Sequence, residues 1–247
     1  MRRLTLAAAT VLLVWSPLSA HAEVAQKGGV RVSVAGKMTP NRLPRTRSVP
    51  VGVSIAGHIA ATKPGALPKL EQIQIAINSH GKLQNRGIPF CRLGHIDPST
   101  TAEALAACRS SLIGEGHFSA DVKIPEQSPF PSQGKLLAFN GKLNGRPAIF
   151  AHIYGTEPVP TSYVLPFAIE PSHGTYGAIL EASLPKVTGE WGYVTGVSLN
   201  LQRRFLSAAC PAPKGFPGVS FPLMRTSFGF GAGLTLTSIL NRSCKVR

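Results

Sequence analysis

Residues 89–108 hold the densest group of side chains that could do chemistry. Within this stretch lie Cys91, His95, Asp97 and Cys108. Such a set could bind zinc, supply a thiol nucleophile or close a disulfide. Zinc sites use thiolates at short recurring spacings such as Cys-x₂₋₄-Cys, and no second close pair accompanies Cys91 and His95. The spacing favours a disulfide, and we expect no metal site.

Four cysteines occur in the chain, and they are Cys91, Cys108, Cys210 and Cys244. An even number of cysteines in an exported protein is typical of disulfides. Three pairings are possible, and we favour Cys91–Cys108 and Cys210–Cys244. The first would fold a short helix back onto the strand before it. The second would tie the segment before Pro211 to the last strand.

Two further groups of polar residues could serve a hydrolase. Along one predicted strand, Glu115, His117, Ser119 and Asp121 alternate with apolar residues. Successive side chains on one face of a strand lie about 7 Å apart. That distance exceeds the roughly 3 Å of a hydrogen bond between nucleophile and base. We therefore interpret this segment as an amphipathic strand whose polar side faces water.

A glycosidase needs two carboxylates that face one sugar. Glu157 and Glu170 flank a segment that also carries Tyr163, so a pair is conceivable there. His152 lies among apolar residues and is interpreted as a core histidine. The chain has no Gly-x-Ser-x-Gly elbow, zinc-protease motif, phosphate-binding loop or dinucleotide fingerprint. We therefore assign no catalytic residue and expect no cofactor.

The elements that carry these residues are predominantly strands. Apolar residues alternate with polar ones around Val30–Gly36, Val51–Ala61 and Ile73–Asn78, and similar segments continue to the end of the chain. Frequent Gly, Pro and Asn separate these segments. Asn144-Gly145 suits a two-residue hairpin turn, and Asn140-Gly141 offers a competing register four residues earlier. The pattern predicts one antiparallel β-sandwich domain, residues 23–247, with about ten strands in two packed sheets.

One short helix is predicted over residues 100–112. Thr100 and Glu103 form a capping-box pattern, in which each side chain can bond the backbone N–H of the other residue. The alanine-rich segment that follows favours helix, and Gly114 is expected to end it. Cys108 would then lie near the end of this helix.

The first 22 residues have the pattern of a cleaved signal peptide. Arg2 and Arg3 precede an apolar run of about a dozen residues and the small-x-small sequence Ala20-His21-Ala22. That run is shorter than the roughly 20 residues that cross a bilayer. We expect cleavage after Ala22 by the Sec or the twin-arginine pathway. The product would be secreted or held in the cell envelope, without a transmembrane anchor.

The chain is strongly basic, with 26 Lys and Arg against 11 Asp and Glu. Without Arg2 and Arg3 the excess of basic residues falls from 15 to 13. Such a surface attracts anionic polymers or lipids, although charge alone can also serve solubility. The densest groups are Lys37 to Arg47, Arg203-Arg204 and Arg242 to Arg247. Among them Arg42, Arg45 and Arg47 are the candidate polyanion-binding residues, in a loop that Pro40, Pro44 and Pro50 hold extended. No run resembles a specific nucleic-acid-binding arm.

Several strings resemble a family of exported proteins from soil actinobacteria. They span residues 137–170, 174–185, 207–218 and 241–247, and the resemblance covers the chain from about Val30 to its end. The family has no assigned activity, so the resemblance implies export and a cysteine-containing β domain but no catalytic residue.

Two functional hypotheses follow from the sequence. The first is an exported, non-catalytic β-sandwich protein that binds acidic or polysaccharide polymers of the cell envelope. The second is a secreted glycan hydrolase that uses a carboxylate pair. The export signal, the charge and the missing catalytic motifs favour the first.

Overall fold

A computed structural model describes residues 22–64, 67–124, 126, 128–185 and 192–247. The predicted leader therefore lies outside the described residues, except for Ala22. The described chain contains 16 strands, three short 3₁₀ turns and one α-helix, α1 (Thr101–Cys108). The strands that precede α1 are β1 (Glu23–Lys27), β2 (Val30–Thr39), β3 (Arg42–Leu43), β4 (Val49–Pro50), β5 (Gly52–Ala61), β6 (Leu70–Asn78) and β7 (Gly81–Leu83). The strands that follow it are β8 (Leu112–Val122), β9 (Phe130–Leu143), β10 (Arg146–Gly155), β11 (Thr161–Pro171), β12 (Tyr176–Ser183), β13 (Gly192–Leu201), β14 (Leu206–Ala208), β15 (Gly218–Phe230) and β16 (Leu234–Val246).

Thirteen strands form one sheet in the order β1-β2-β5-β13-β8-β9-β10-β11-β12-β6-β15-β16-β3, and β4-β14-β7 form a small second sheet. Strands β16 and β3 pair in parallel, and the other strand pairs are antiparallel. The prediction of a mainly β protein is confirmed, but the ten-stranded sandwich is wrong. Alternation marks one buried face of a strand without showing what covers that face. A single sheet that curls over itself therefore has the same sequence pattern as a sandwich.

The curl brings the two ends of the large sheet together. The Nε–H of Arg242 on β16 donates to the carbonyl of Gly36 on β2 at 2.6 Å. Ser238 on β16 donates to the carbonyl of Glu23 on β1 at 3.5 Å. Gly36 permits this approach, because a Cβ there would lie 2.7 Å from Cδ2 of Leu240. The sheet is thus a half-barrel in which β16, next to last in the sheet, faces β1 and β2.

The largest core cluster lies inside this half-barrel, and a second cluster, which includes Leu137, Phe139 and Phe150, packs against α1 and the Cys91–Cys108 disulfide. The alternating residues Val30, Val32 and Val34 are no more than 2% exposed, and Leu240 of β16 is 1% exposed. Each large apolar side chain buried in this way contributes about 1.5–3 kcal/mol. Because β2 and β16 come from opposite ends of the sheet and both contribute buried side chains, this burial stabilises the curled form of the sheet.

Both predicted disulfides are present. Cys91 and Cys108 are joined with a Cα–Cα distance of 5.5 Å, and Cys210 and Cys244 with one of 5.7 Å. These bonds use all four cysteines, so Cys91 is not available as a thiolate ligand for zinc. Two disulfides are typical of a protein that resides in an oxidising compartment.

The helix begins as predicted and ends earlier. Thr100 accepts a hydrogen bond from the backbone N–H of Glu103, and the Glu103 carboxylate accepts one from the backbone N–H of Thr100 at 2.8 Å. This capping box is confirmed, but α1 ends at Cys108, and the 3₁₀ turn Arg109–Ser111 leads into β8. Gly114 lies inside β8, where a Cβ would be 2.9 Å from the Asn200 carbonyl, and it does not end the helix.

The predicted hairpin turn is also confirmed. Asn144 and Gly145 have φ angles of 51° and 81° and connect β9 to β10. In the described part of the chain, no helix is long and apolar enough to span a membrane.

Candidate polyanion-binding face

The basic candidates lie at one edge of the large sheet. β3 pairs with the end of β16, so that Arg42 lies directly beside Lys245. The backbone N–H of Lys245 donates to the Asn41 carbonyl at 2.8 Å, and that of Arg247 donates to the Leu43 carbonyl at 3.0 Å. Arg42, Lys245 and Arg247 are exposed, while Leu43 between them is fully buried. Two separate groups of basic residues in the sequence thus form one group in the structure.

Arg45 has a different role from its two neighbours. It is half-buried, and its guanidinium donates to the carbonyl of Ala212 at 3.3 Å and to that of Phe216. Arg47 is exposed in the bend that precedes β4. Of the three predicted residues, Arg42 and Arg47 present their charge to solvent. Arg45 chiefly fixes the adjoining loop, residues 211–217.

That loop is held at several points along the same edge. The Cys210–Cys244 disulfide joins its start to β16. The backbone N–H of Cys210 donates to the Pro44 carbonyl at 2.9 Å, and that of Val246 donates to the Pro217 carbonyl at 2.7 Å. The loop contains Pro211, Pro213 and Pro217, whose rings restrict the backbone. It presents the exposed residues Lys214 and Phe216, and Phe216 is 60% exposed.

The distribution of carboxylates separates the chain into two parts. Residues 24–70 and 191–247, called here the basic half, contain 15 Lys and Arg and no Asp or Glu. Residues 71–190, called the balanced half, contain nine Lys and Arg and ten Asp and Glu. Glu23 lies just before the basic half. Within residues 23–247, the basic half therefore carries all of the excess of basic over acidic residues.

The fold makes the two segments of the basic half contiguous. One end of the large sheet is β1-β2-β5-β13 and the other is β15-β16-β3, and the curl brings these ends together. In the small sheet, β4 of the first segment also pairs with β14 of the second. Most of the balanced half lies in the central strands between the two ends. The two segments that carry the excess of basic residues are therefore neighbours in the fold.

Backbone carbonyls satisfy several guanidinium groups in the basic half. Arg45 bonds the carbonyls of residues 212 and 216, and Arg204 bonds those of Ser110 and Leu112. Arg242 bonds the Gly36 carbonyl and lies 3.8 Å from a carboxylate oxygen of Glu23. A carbonyl satisfies an N–H donor but carries no net charge. The positive field of these arginines is therefore kept, except where Glu23 offsets it.

Among the described residues, His152 forms a buried polar cluster that resembles catalytic chemistry. Its ring is fully buried, and Nε2 lies 2.9 Å from the carbonyl oxygen of Ser99 and 3.1 Å from the Ser99 hydroxyl. Ser162 lies 3.4 Å from the same nitrogen. Because a carbonyl oxygen only accepts, this contact assigns the proton to Nε2, and the Nε2–H donates a hydrogen bond to the Ser99 carbonyl. The Ser99 hydroxyl in turn donates to the Ile96 carbonyl at 2.9 Å.

This arrangement leaves Nε2 without a lone pair that could take a proton from serine. Burial lowers the pKa of His152, an effect that the Ser99 carbonyl partly opposes. Among the described residues, Nδ1 has no hydrogen-bond partner. The ring joins β10 to the segment before α1 and has no access to a substrate. The interpretation of His152 as a core histidine is confirmed.

The conceivable glycosidase pair is not assembled. Glu157 lies in the loop between β10 and β11, whereas Glu170 lies nine residues along β11 from Thr161. The strand from Thr161 to Glu170 is about 30 Å long, so the loop that holds Glu157 and the residue Glu170 lie at opposite ends of β11. Two catalytic carboxylates lie roughly 5–10 Å apart. Glu170 also pairs with Arg146 at 3.0 Å. A hydrolase would need another pair of carboxylates.

An open cleft lies where β5, β8 and β13 are neighbours. His58, Asp121, Lys123 and Tyr193 are among the residues that line it. Asp121 is the single carboxylate in the described lining, which does not suit a two-carboxylate mechanism. Within the described ranges, no group of three or more His, Cys, Asp and Glu residues could hold a metal ion.

Comparison of the whole chain with protein-family models, curated proteins and solved structures found no match.

Proposed function

We propose that the protein is exported and binds anionic polymers of the cell envelope, without catalysis, through its basic half. The observation that carries this proposal is the pairing of β3 with β16, which places the exposed Arg42 beside the exposed Lys245. Like charges on neighbouring strands repel each other and lower stability. A polyanion that lies along this edge would relieve the repulsion and release its own counterions.

The absence of acids from the basic half supports the same function. Charged groups in water act over about 8 Å at physiological ionic strength. Residues 24–70 and 191–247 provide no carboxylate of their own, so the field is offset only by acids outside these ranges, such as Glu23 beside Arg242. A repeating anionic polymer suits such a surface, because its charges can meet many separate cations.

The test is a titration with dextran sulfate, and neutral dextran is the matched polymer without charge. In the first variant, Arg42, Arg47 and Lys245 are changed to Ser, and Arg45 is kept because it fixes the 211–217 loop. In the control variant, Arg86, Arg92 and Arg109, which are exposed residues of the balanced half, are changed to Ser. Both variants lose the same formal charge.

We expect the wild type to bind dextran sulfate and not dextran, with affinity that falls steeply between about 50 and 200 mM salt. The first variant should show a shallower dependence of log K on log salt, by about one unit for each lost contact. The control variant should retain most of the wild-type slope. Equal losses of affinity in both variants would show that binding depends only on overall charge. An affinity that does not change with salt concentration would contradict the proposal. Shortened dextran sulfate chains after incubation would instead support a hydrolase.

A further inference from the structure

We infer that Phe216 is a stacking platform for a sugar ring, so that the preferred ligand of the basic half is an anionic polysaccharide. This inference rests on the proposed function and specifies the ligand class. Phe216 is 60% exposed, whereas most large apolar residues of the described chain are covered. Singly exposed apolar residues are common on protein surfaces, and Phe216 is distinguished by the contacts that fix its backbone and by the cations at the same edge of the sheet.

The backbone that carries Phe216 is unusually well fixed for a loop. The guanidinium of Arg45 donates a hydrogen bond to the Phe216 carbonyl. The backbone N–H of Phe216 donates to the Pro213 carbonyl at 3.1 Å. The next residue, Pro217, accepts a hydrogen bond from Val246. The Cys210–Cys244 disulfide anchors the start of the loop. A ligand that contacts the ring would therefore lose little free energy in ordering the loop.

The ring also belongs to the same edge as the exposed cations. Pro217 is bonded to Val246 of β16, and Lys245 of β16 is paired with Arg42 of β3. Phe216, Lys245 and Arg42 thus come from three adjacent backbone segments. The face of an aromatic ring carries partial negative charge and favours the C–H groups of a sugar ring. Neighbouring cations would bind sulfate, phosphate or carboxylate groups on that sugar chain.

The surroundings of the ring favour a glycan over a lipid surface. Membrane binding by a peripheral segment grows with the apolar area that enters the bilayer. In residues 211–217, Phe216 is the one aromatic side chain. The other residues are three prolines, Lys214, Gly215 and Ala212, which is buried. A single ring gives little insertion, but it is sufficient to stack on one sugar unit.

The experiment compares two polyanions, dextran sulfate, which contains sugar rings, and polyphosphate, which contains none. The test variant is Phe216→Leu, which keeps an apolar side chain and removes the ring, and Phe216→Trp restores a ring. The matched control is Phe90→Leu, because Phe90 is 44% exposed in the balanced half and lies beneath the Lys142 ammonium. Thermal unfolding of each variant verifies that the fold is kept.

We expect Phe216→Leu to weaken dextran sulfate binding about tenfold, the size of one aromatic stacking contact, and to leave polyphosphate binding unchanged. Phe216→Trp should restore the affinity, and Phe90→Leu should match the wild type. Equal losses on both polymers, or no loss on dextran sulfate, would overturn the inference while the proposed function stood. Binding of the wild type to neither polymer would overturn both. Ring-dependent binding to phosphatidylglycerol vesicles or to a single-stranded oligonucleotide, without ring-dependent binding to dextran sulfate, would also overturn the glycan assignment.

Discussion

The basic half and the balanced half satisfy their polar side chains in different ways. In the balanced half, Lys135 pairs with Glu115 at 3.2 Å and Arg146 pairs with Glu170 at 3.0 Å. In the basic half, Arg45 and Arg204 donate to backbone carbonyls. Both halves contain one disulfide. Each half is therefore stabilised by one disulfide. The two halves differ in whether carboxylates neutralise the charge of their Lys and Arg side chains.

The difference shows how a folded domain can keep a strong field without leaving donors unsatisfied. A buried or half-buried guanidinium without acceptors destabilises a fold. Carbonyl acceptors remove that cost and leave the positive charge uncompensated, whereas a carboxylate would cancel it. The basic half is therefore suited to long-range attraction, and the balanced half to the stable support of that surface.

The largest expected effect is the loss of unfolding free energy when either disulfide is removed. Changing Cys91, Cys108 or both to Ser should lower the free energy of unfolding by about 3 kcal/mol, and the same changes at Cys210 and Cys244 by about 4 kcal/mol, because the second loop is longer. Within each pair the double change should cost little more than either single change. Denaturant unfolding of the six variants measures these values.

The two disulfides should differ more clearly in binding. Loss of Cys210–Cys244 should reduce the affinity for dextran sulfate, because it loosens the 211–217 loop beside Arg45. Loss of Cys91–Cys108 should leave that affinity unchanged. If both losses affected binding alike, the binding surface would not be confined to the basic half.

Much of the fold could be predicted from local patterns. The alternation of Val30, Val32 and Val34 predicts β2, and Asn144-Gly145 predicts the β9–β10 hairpin. The single curled sheet could not be predicted, because its closure depends on contacts such as that of Arg242 with Gly36, about 200 residues earlier in the chain. Strands of two or three residues, such as β3 and β14, are also too short to show a period.

The candidate site was predictable in part. Arg42 and Arg47 were identified from their spacing and are exposed, but the position of Lys245 beside Arg42 follows from a long-range strand pair. The structural role of Arg45 depends on the carbonyls of residues 212 and 216, which no local pattern indicates. The absence of acids from residues 24–70 and 191–247 was readable from the sequence and is the signal that could have defined the basic half.

The balanced half should respond to acid through His152. Burial holds the pKa of His152 below its ordinary value, so that as the pH falls the unfolded chain takes up the proton first, near pH 6.5. The contribution of His152 is therefore fully present above about pH 6.5 and is lost as the pH falls towards the folded-state pKa. His152→Gln should lower the free energy of unfolding at pH 7.5 by about 1 kcal/mol. Between pH 7.5 and 5.5, the variant should then lose less of its unfolding free energy than the wild type does.

Unfolding free energies at these two pH values check this expectation. His117→Gln is the control, because His117 is exposed on β8 and should behave like the wild type. If His152→Gln kept the full wild-type loss of stability in acid, the acid response would not come from the buried ring. Dextran sulfate binding at pH 7.5 should be unchanged in both variants.

The smallest expected effect tests whether the basic half gives up stability to keep its charge. Lys245→Glu would place opposite charges on neighbouring strands next to Arg42, and such a pair stabilises a sheet by about 0.2–1 kcal/mol. Lys245→Gln removes the repulsion without adding attraction, so its stability should lie between those of the wild type and Lys245→Glu at low salt. These differences should shrink at about 1 M salt, where screening acts within about 3 Å.

Dextran sulfate affinity should follow the opposite order, highest in the wild type and lowest in Lys245→Glu. A loss of stability in Lys245→Glu relative to Lys245→Gln would contradict the proximity of Arg42 and Lys245. Unchanged affinity in both variants would instead place the binding site elsewhere in the basic half.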